Sequence, residues 1–81
     1  MLKYFPDALK AVSECSLAGQ KQHNQGEELY WDKSKSSDNE DALVRHLIDH
    51  STNPIDSDGV LHLAKVAWRA LAALEVYLDE Q

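Results

Sequence analysis

Four residues with chemical potential interrupt the apolar run DGVLHLAKVAWRALAALE, Asp58 to Glu75: His62, Lys65, Trp68 and Arg69. His62, Lys65 and Arg69 are three and four residues apart, so a helix places them on one face, with Trp68 at its border. Two cations beside an aromatic plane suit a nucleotide, with Lys65 and Arg69 on phosphate and a ring on the base. The same spacing describes a solvated helix face with Arg69 paired to Glu75 or another carboxylate. Spacing by itself favours that plainer reading.

Upstream, His46 and His50 stand at i, i+4 with Asp49 between them and Arg45 before them. Two imidazoles so placed can share a divalent metal that a nearby carboxylate completes. An H-x-x-x-H pair without a supporting motif is common on exposed helices. A lone His46, turned to the core and bonded to a backbone or Asp group, is therefore the favoured reading. Between the two segments, DSDG (Asp56 to Gly59) sets two carboxylates ahead of a helix. They are oxygen ligands for magnesium or manganese, or helix caps, and capping needs only one of them. Lys21 and His23 in GQKQHN, with Trp31, Lys33 and Lys35 in YWDKSKS, gather cations and an aromatic ring on or beside one connection. No nucleophile has a base partner in the sequence, Cys15 sits among small residues, and there is no glycine-rich phosphate loop.

Three helical segments must position these groups. The first starts near Pro6, which is pre-organised for a first helical turn, and runs towards Gly19. It turns Ala8, Leu9, Val12, Cys15 and Ala18 inward. From His23 to Ser37 the pattern is a long loop, of a length that is often functional when it occurs in a compact domain. The second helix opens on Ser37-Asp38-Asn39-Glu40, a capping box, and carries an apolar stripe of Leu43, Val44, Leu47 and Ile48. It ends around Ser51, before the breaker Asn53-Pro54. Asp56, Ser57 and Asp58 offer N-caps for the third helix, whose stripe is Val60, Leu63, Ala67, Leu71, Leu74 and Leu78. The expected fold is an all-α small bundle of three main helices with a long ordered loop between helices 1 and 2, forming one domain over residues 1–81.

The chain has 81 residues and a formal net charge of −6. At this size a chain buries only about 60% of its unfolded surface. A single cysteine provides no internal disulfide, so completion by homo-oligomerisation is expected. The acidic balance argues against a nucleic-acid partner, which requires a basic surface, while a small anion needs only local cations. No apolar run is long enough for a bilayer and no signal-peptide region opens the chain, which makes no membrane partner and a cytoplasmic location the expectation.

Taken in order, GQKQHN, YWDKSKS, DALVRHL and DSDGVLHLAKVAWRALAALE resemble a phage-associated family of dATP/dGTP diphosphohydrolases, from about Tyr4 to Glu75. The most specific pieces are Arg45-His46-Leu47 and Asp56 to Leu71. The likeness implies a functional cluster of His46, Asp56, Asp58, Gly59 and His62. It implies substrate contacts from Lys21, His23, Trp31, Lys65 and Arg69, to which Arg45, Lys33 and Lys35 add local charge. His46, Asp56 and Asp58 are then the metal ligands, for magnesium or manganese, and Asp58 and His62 the catalytic pair. The family is related in discussion to MazG-like all-α nucleoside triphosphate pyrophosphatases, which hold magnesium with helical E-x-x-E and E-x-x-D patterns. This chain lacks that set: Glu27-Glu28 falls in the loop, and Glu14 has no acidic residue three or four positions away. The expected functions are therefore metal-dependent hydrolysis of a purine deoxynucleotide or, without catalysis, sequestration of a nucleotide signal of host antiviral defence in an infected bacterial cell.

Overall fold

A computed structural model of the chain describes the backbone of residues 1–23 and 38–81, and the side chains of residues 1–19 and 38–81. It contains three helices, α1 (Pro6–His23), α2 (Asn39–His50) and α3 (His62–Asp79). Among the described residues the extended pairing is a single bridge between Ile55 and Leu61. The protein is all-α, as its periodicity indicates. Lys21, His23, Trp31, Lys33 and Lys35, together with the expected 23–37 loop, fall where side chains or backbone lie outside the described residues.

Pro6 opens α1 in the position where its missing N–H costs nothing, and the Phe5 carbonyl accepts the Leu9 amide at 2.9 Å. The helix passes Gly19 and continues to His23. Gly19 does not adopt the left-handed conformation that ends helices; among described residues that conformation belongs to Gly59. A helical glycine costs only about 1 kcal/mol relative to alanine, and the straight-chain residues after it favour helix.

Asp38 is the N-cap of α2 through its carbonyl, which accepts the Ala42 amide at 2.9 Å, and its side chain makes no capping bond. The expected box partner Ser37 lies outside the described residues. Glu40 and Asp41 in the first turn still complement the helix dipole. The exit follows the sequence closely. Ser51 Oγ donates to the Ile48 carbonyl at 2.6 Å, and Thr52 Oγ1 to that of Asp49 at 3.0 Å. Asn53 Oδ1 then accepts the Ile55 amide at 3.0 Å beside Pro54.

α3 packs against both other helices. The α2–α3 contact is antiparallel, with Asn39 near Arg69 at one end and His46 near His62 at the other. Among the described residues the buried apolar ones are three alanines, Ala42, Ala64 and Ala72. Small side chains allow the close approach, but they bury little apolar area. The expected apolar stripes do not face this contact. Val44, Leu47 and Ile48 of α2 are 52%, 49% and 63% exposed, and Leu63, Leu71, Leu74 and Leu78 of α3 are about half exposed. On α1, Ala8 is exposed, while Leu9, Val12, Cys15 and Ala18 are half-buried. The inward row of α2 is instead Asn39, Ala42, Leu43, His46 and His50, mostly polar. On α2 and α3 packing turned most of the expected stripe outward, leaving Leu43, Val60 and Ala67 half-buried, whereas on α1 it kept four of the five expected residues half-buried.

Candidate functional site

The segment between α2 and α3 is a tight reversal. The Asp56 amide donates to the Val60 carbonyl and the Gly59 amide to the Asp56 carbonyl, both at 2.9 Å. Gly59 has φ of +82°, a conformation that costs an L side chain strain and glycine little. The two aspartates fasten the turn themselves: Asp56 Oδ1 accepts the Ser57 amide at 2.7 Å, and Asp58 Oδ1 accepts the Val60 amide at 3.0 Å. They are therefore not caps of α3, whose N-cap position is Leu61 with no side-chain capping bond. The helix starts instead where the His62 amide donates to the Pro54 carbonyl at 2.9 Å. With one oxygen of each carboxylate used by the turn, the second oxygens Oδ2 are aimed together.

Those second oxygens meet α3. Lys65 Nζ lies 2.6 Å from Asp56 Oδ2 and 2.7 Å from Asp58 Oδ2, bridging the pair. His46 Nδ1 and His62 Nδ1 are 3.0 Å apart, and each is 4.0 Å from Asp56 Oδ2. One ligand atom from each of His46, Asp56 and His62 thus falls within 4.8 Å of the other two. His62 is buried, at 5% exposure. Two Nδ1 atoms at 3.0 Å require that one carry the hydrogen and the other a lone pair, or that both turn lone pairs to a shared cation. Burial, then the positive charge of Lys65, lowers the His46 pKa and so favours a neutral ring with a lone pair to give. The bond from Lys65, then that from the Ser57 amide, holds Asp56 ionised with a pKa of about 2. For Lys65, burial alone would lower the pKa, but the bonds to Asp56 and Asp58 outweigh it and raise the value. Two imidazole nitrogens and a carboxylate oxygen fit a divalent ion such as manganese or zinc, and suit magnesium, which prefers oxygen, less well.

Arg69, one turn further along α3, reaches α2. Its Nη1 donates to Asn39 Oδ1 at 3.0 Å and lies 3.5 Å from Asp38 Oδ1, while its guanidinium sits 5.6 Å from the Trp68 ring centroid. The carboxylate it finds is Asp38, not Glu75. Both cations of the third helix are therefore engaged by polar groups of the chain. Asn39, 3% exposed, is a site residue that sequence reading passed over. Its signal was its register with Ala42, His46 and His50 at three- and four-residue steps.

Spacing favoured a lone His46 turned to the core over a His46–His50 pair, and the family likeness grouped His46 with His62; the structure sets His46 against His62 across the α2–α3 contact. His50 is half-buried, with Nδ1 enclosed and without a hydrogen-bond partner among the described residues. Asp58 reaches the cluster through Lys65, and Arg45 is exposed on α2. A family model described as dATP/dGTP diphosphohydrolase, N-terminal, matches residues 1–81. The chain belongs to that family. No curated protein and no solved structure matches it.

For a dATP/dGTP diphosphohydrolase N-terminal region, the concavity beside this cluster is small. Cys15 and Glu14 of α1 face Gly59 and Ala64 across a groove of about 130 Å³. Pockets for ligands of drug size are about 300–1,000 Å³. Burial, partly offset by the charge of Lys65, raises the Cys15 pKa and keeps its thiol protonated. The cluster thus supplies a candidate metal centre and engaged cations, beside a groove smaller than a nucleotide pocket.

Proposed function

We propose that this chain binds a purine deoxynucleoside phosphate and takes part in its metal-dependent hydrolysis. The observation that carries the reading is the convergence of His46 Nδ1, His62 Nδ1 and Asp56 Oδ2 within 4.8 Å, from α2, the turn and α3. Membership in the dATP/dGTP diphosphohydrolase family supports the substrate class. His46, Asp56 and His62 would hold a divalent ion, which supplies Lewis-acid polarisation of a phosphoryl oxygen and activation of water. Manganese fits the nitrogen-containing donor set better than magnesium.

The remaining residues have definable tasks. Asp58, fixed by the Val60 amide and paired with Lys65, is the second carboxylate beside the centre and would orient a water towards phosphorus. Lys65 lies where phosphoryl charge would be met, and Arg69 fixes α2 to α3. Lys21, His23, Trp31, Lys33, Lys35 and Arg45 would add phosphate and base contacts. The half-exposed rows Val44, Leu47, Ile48 and Leu71, Leu74, Leu78 support association with a second copy of the chain. Self-association would also cover apolar surface that the three alanines leave in water.

Purified protein incubated with dATP, dGTP and the other deoxynucleotides in manganese, with products resolved by chromatography, tests the reading. Conversion of dATP and dGTP that disappears in His62→Ala is expected. Unchanged nucleotide retained in stoichiometric amount would refute hydrolysis in favour of sequestration. Neither product nor retention would refute the nucleotide role altogether.

A further inference from the structure

Lys65 occupies an unusual place for a substrate-binding lysine. Its ammonium lies 2.6 Å from Asp56 Oδ2 and 2.7 Å from Asp58 Oδ2, and it is half-buried against them. Asp56 Oδ2 is also the oxygen that lies 4.0 Å from both His46 Nδ1 and His62 Nδ1. The other oxygen of Asp56 already accepts the Ser57 amide at 2.7 Å and is turned to the backbone, so Oδ2 is the oxygen that faces both the ammonium and the imidazoles. One oxygen atom is therefore the natural partner of two different cations.

We infer that Lys65 is the resident counter-ion of this carboxylate pair, competes with a divalent ion for Asp56 Oδ2, and is released towards a phosphate-bearing ligand when the ion binds. The inference rests on the metal reading given under Proposed function. Charge gives it direction. Asp56, Asp58 and Lys65 together carry a net −1, which repels phosphate. A divalent ion brings the cluster to +1, and the ammonium no longer has two carboxylates to itself. The flexible four-carbon stem of lysine lets Nζ move without moving the α3 backbone. Anion binding then follows ion binding, and the second cation is supplied by the residue that the first displaced. Without the ion, the same lysine keeps two carboxylates from repelling one another across a tight turn.

Competitive acylation of the intact protein by acetic anhydride, read by peptide mass spectrometry, follows Lys65 directly. Exposed Lys3 and Lys10 serve as internal references. Manganese alone should raise acylation of Lys65 several-fold relative to those two, and inorganic phosphate added afterwards should lower it again. In parallel, calorimetry should show Lys65→Met binding manganese about tenfold more tightly than the unaltered chain, since one charge-assisted competitor is gone. Far-ultraviolet circular dichroism checks that the variant keeps its helices. If manganese binds the unaltered chain but leaves Lys65 labelling unchanged, the displacement is refuted while the metal centre stands. If labelling rises and phosphate does not reverse it, release towards an anion is refuted. If manganese binds neither protein, the metal reading fails and the inference fails with it.

Discussion

Asp56→Asn tests the physical account of the turn in the absence of any metal. In the folded chain the Asp56 carboxyl is held at a pKa of about 2 against an ordinary 3.8, first by Lys65 and then by the Ser57 amide. A difference of that size corresponds to no more than ~2.4 kcal/mol at 1.36 kcal/mol per unit. The side chain remains 25% exposed, and solvent screening reduces the effect to about 1–2 kcal/mol. The sign follows from the depressed pKa. The contribution is fully present above the unfolded value of 3.8 and is lost as pH falls through about 2. Urea denaturation followed by circular dichroism in a chelating buffer should show Asp56→Asn less stable by about 1–2 kcal/mol at pH 7. The gap between the two proteins should narrow below pH 4 and close near pH 2. Comparing them at each pH cancels the titration of every other carboxylate. A gap that is absent at pH 7, or that stays constant down to pH 2, would show that Lys65 does not bind Asp56 as a charge.

Three further outcomes follow from particular contacts. Gly59→Ala should destabilise the protein by about 1 kcal/mol in thermal melts, because φ is +82° while the space around a new Cβ is open; an unchanged melting temperature would mean the turn relaxes freely. Arg69→Met should lower the melting temperature by about 4–8 °C, since buried Asn39 loses a charged donor at 3.0 Å worth about 1 kcal/mol; a neutral result would assign the α2–α3 contact to the alanines alone. Sedimentation velocity at micromolar concentration should find the unaltered chain larger than its 9.1 kDa mass, and the double change Leu71→Asp, Leu74→Asp should return it to monomer with helicity intact; a monomeric unaltered chain would refute the assembly.

The local chemistry of the chain determined a good deal. Pro6, the Asn53-Pro54 break and the three- and four-residue apolar spacing located the helices, because backbone constraints and helical period act within a few residues. The family likeness joined His46, Asp56, Asp58 and His62 into one cluster, whereas local spacing marked them and Lys65 only as candidates beside plainer readings. What it could not supply was which partner each would have. Period fixes the angle between residues around one helix axis and says nothing of which face meets a neighbour. Apolar rows at Val44, Leu47 and Ile48 therefore turned outward, while Asn39, Ala42 and His46 turned in. DSDG read equally as oxygen ligands or as helix caps, and the Gly59 conformation makes it a reversal that spends one oxygen of each aspartate on its own amides. Only the antiparallel approach of α2 and α3 put His46 against His62. Distances between elements are set by packing, and that is where the candidate centre was decided.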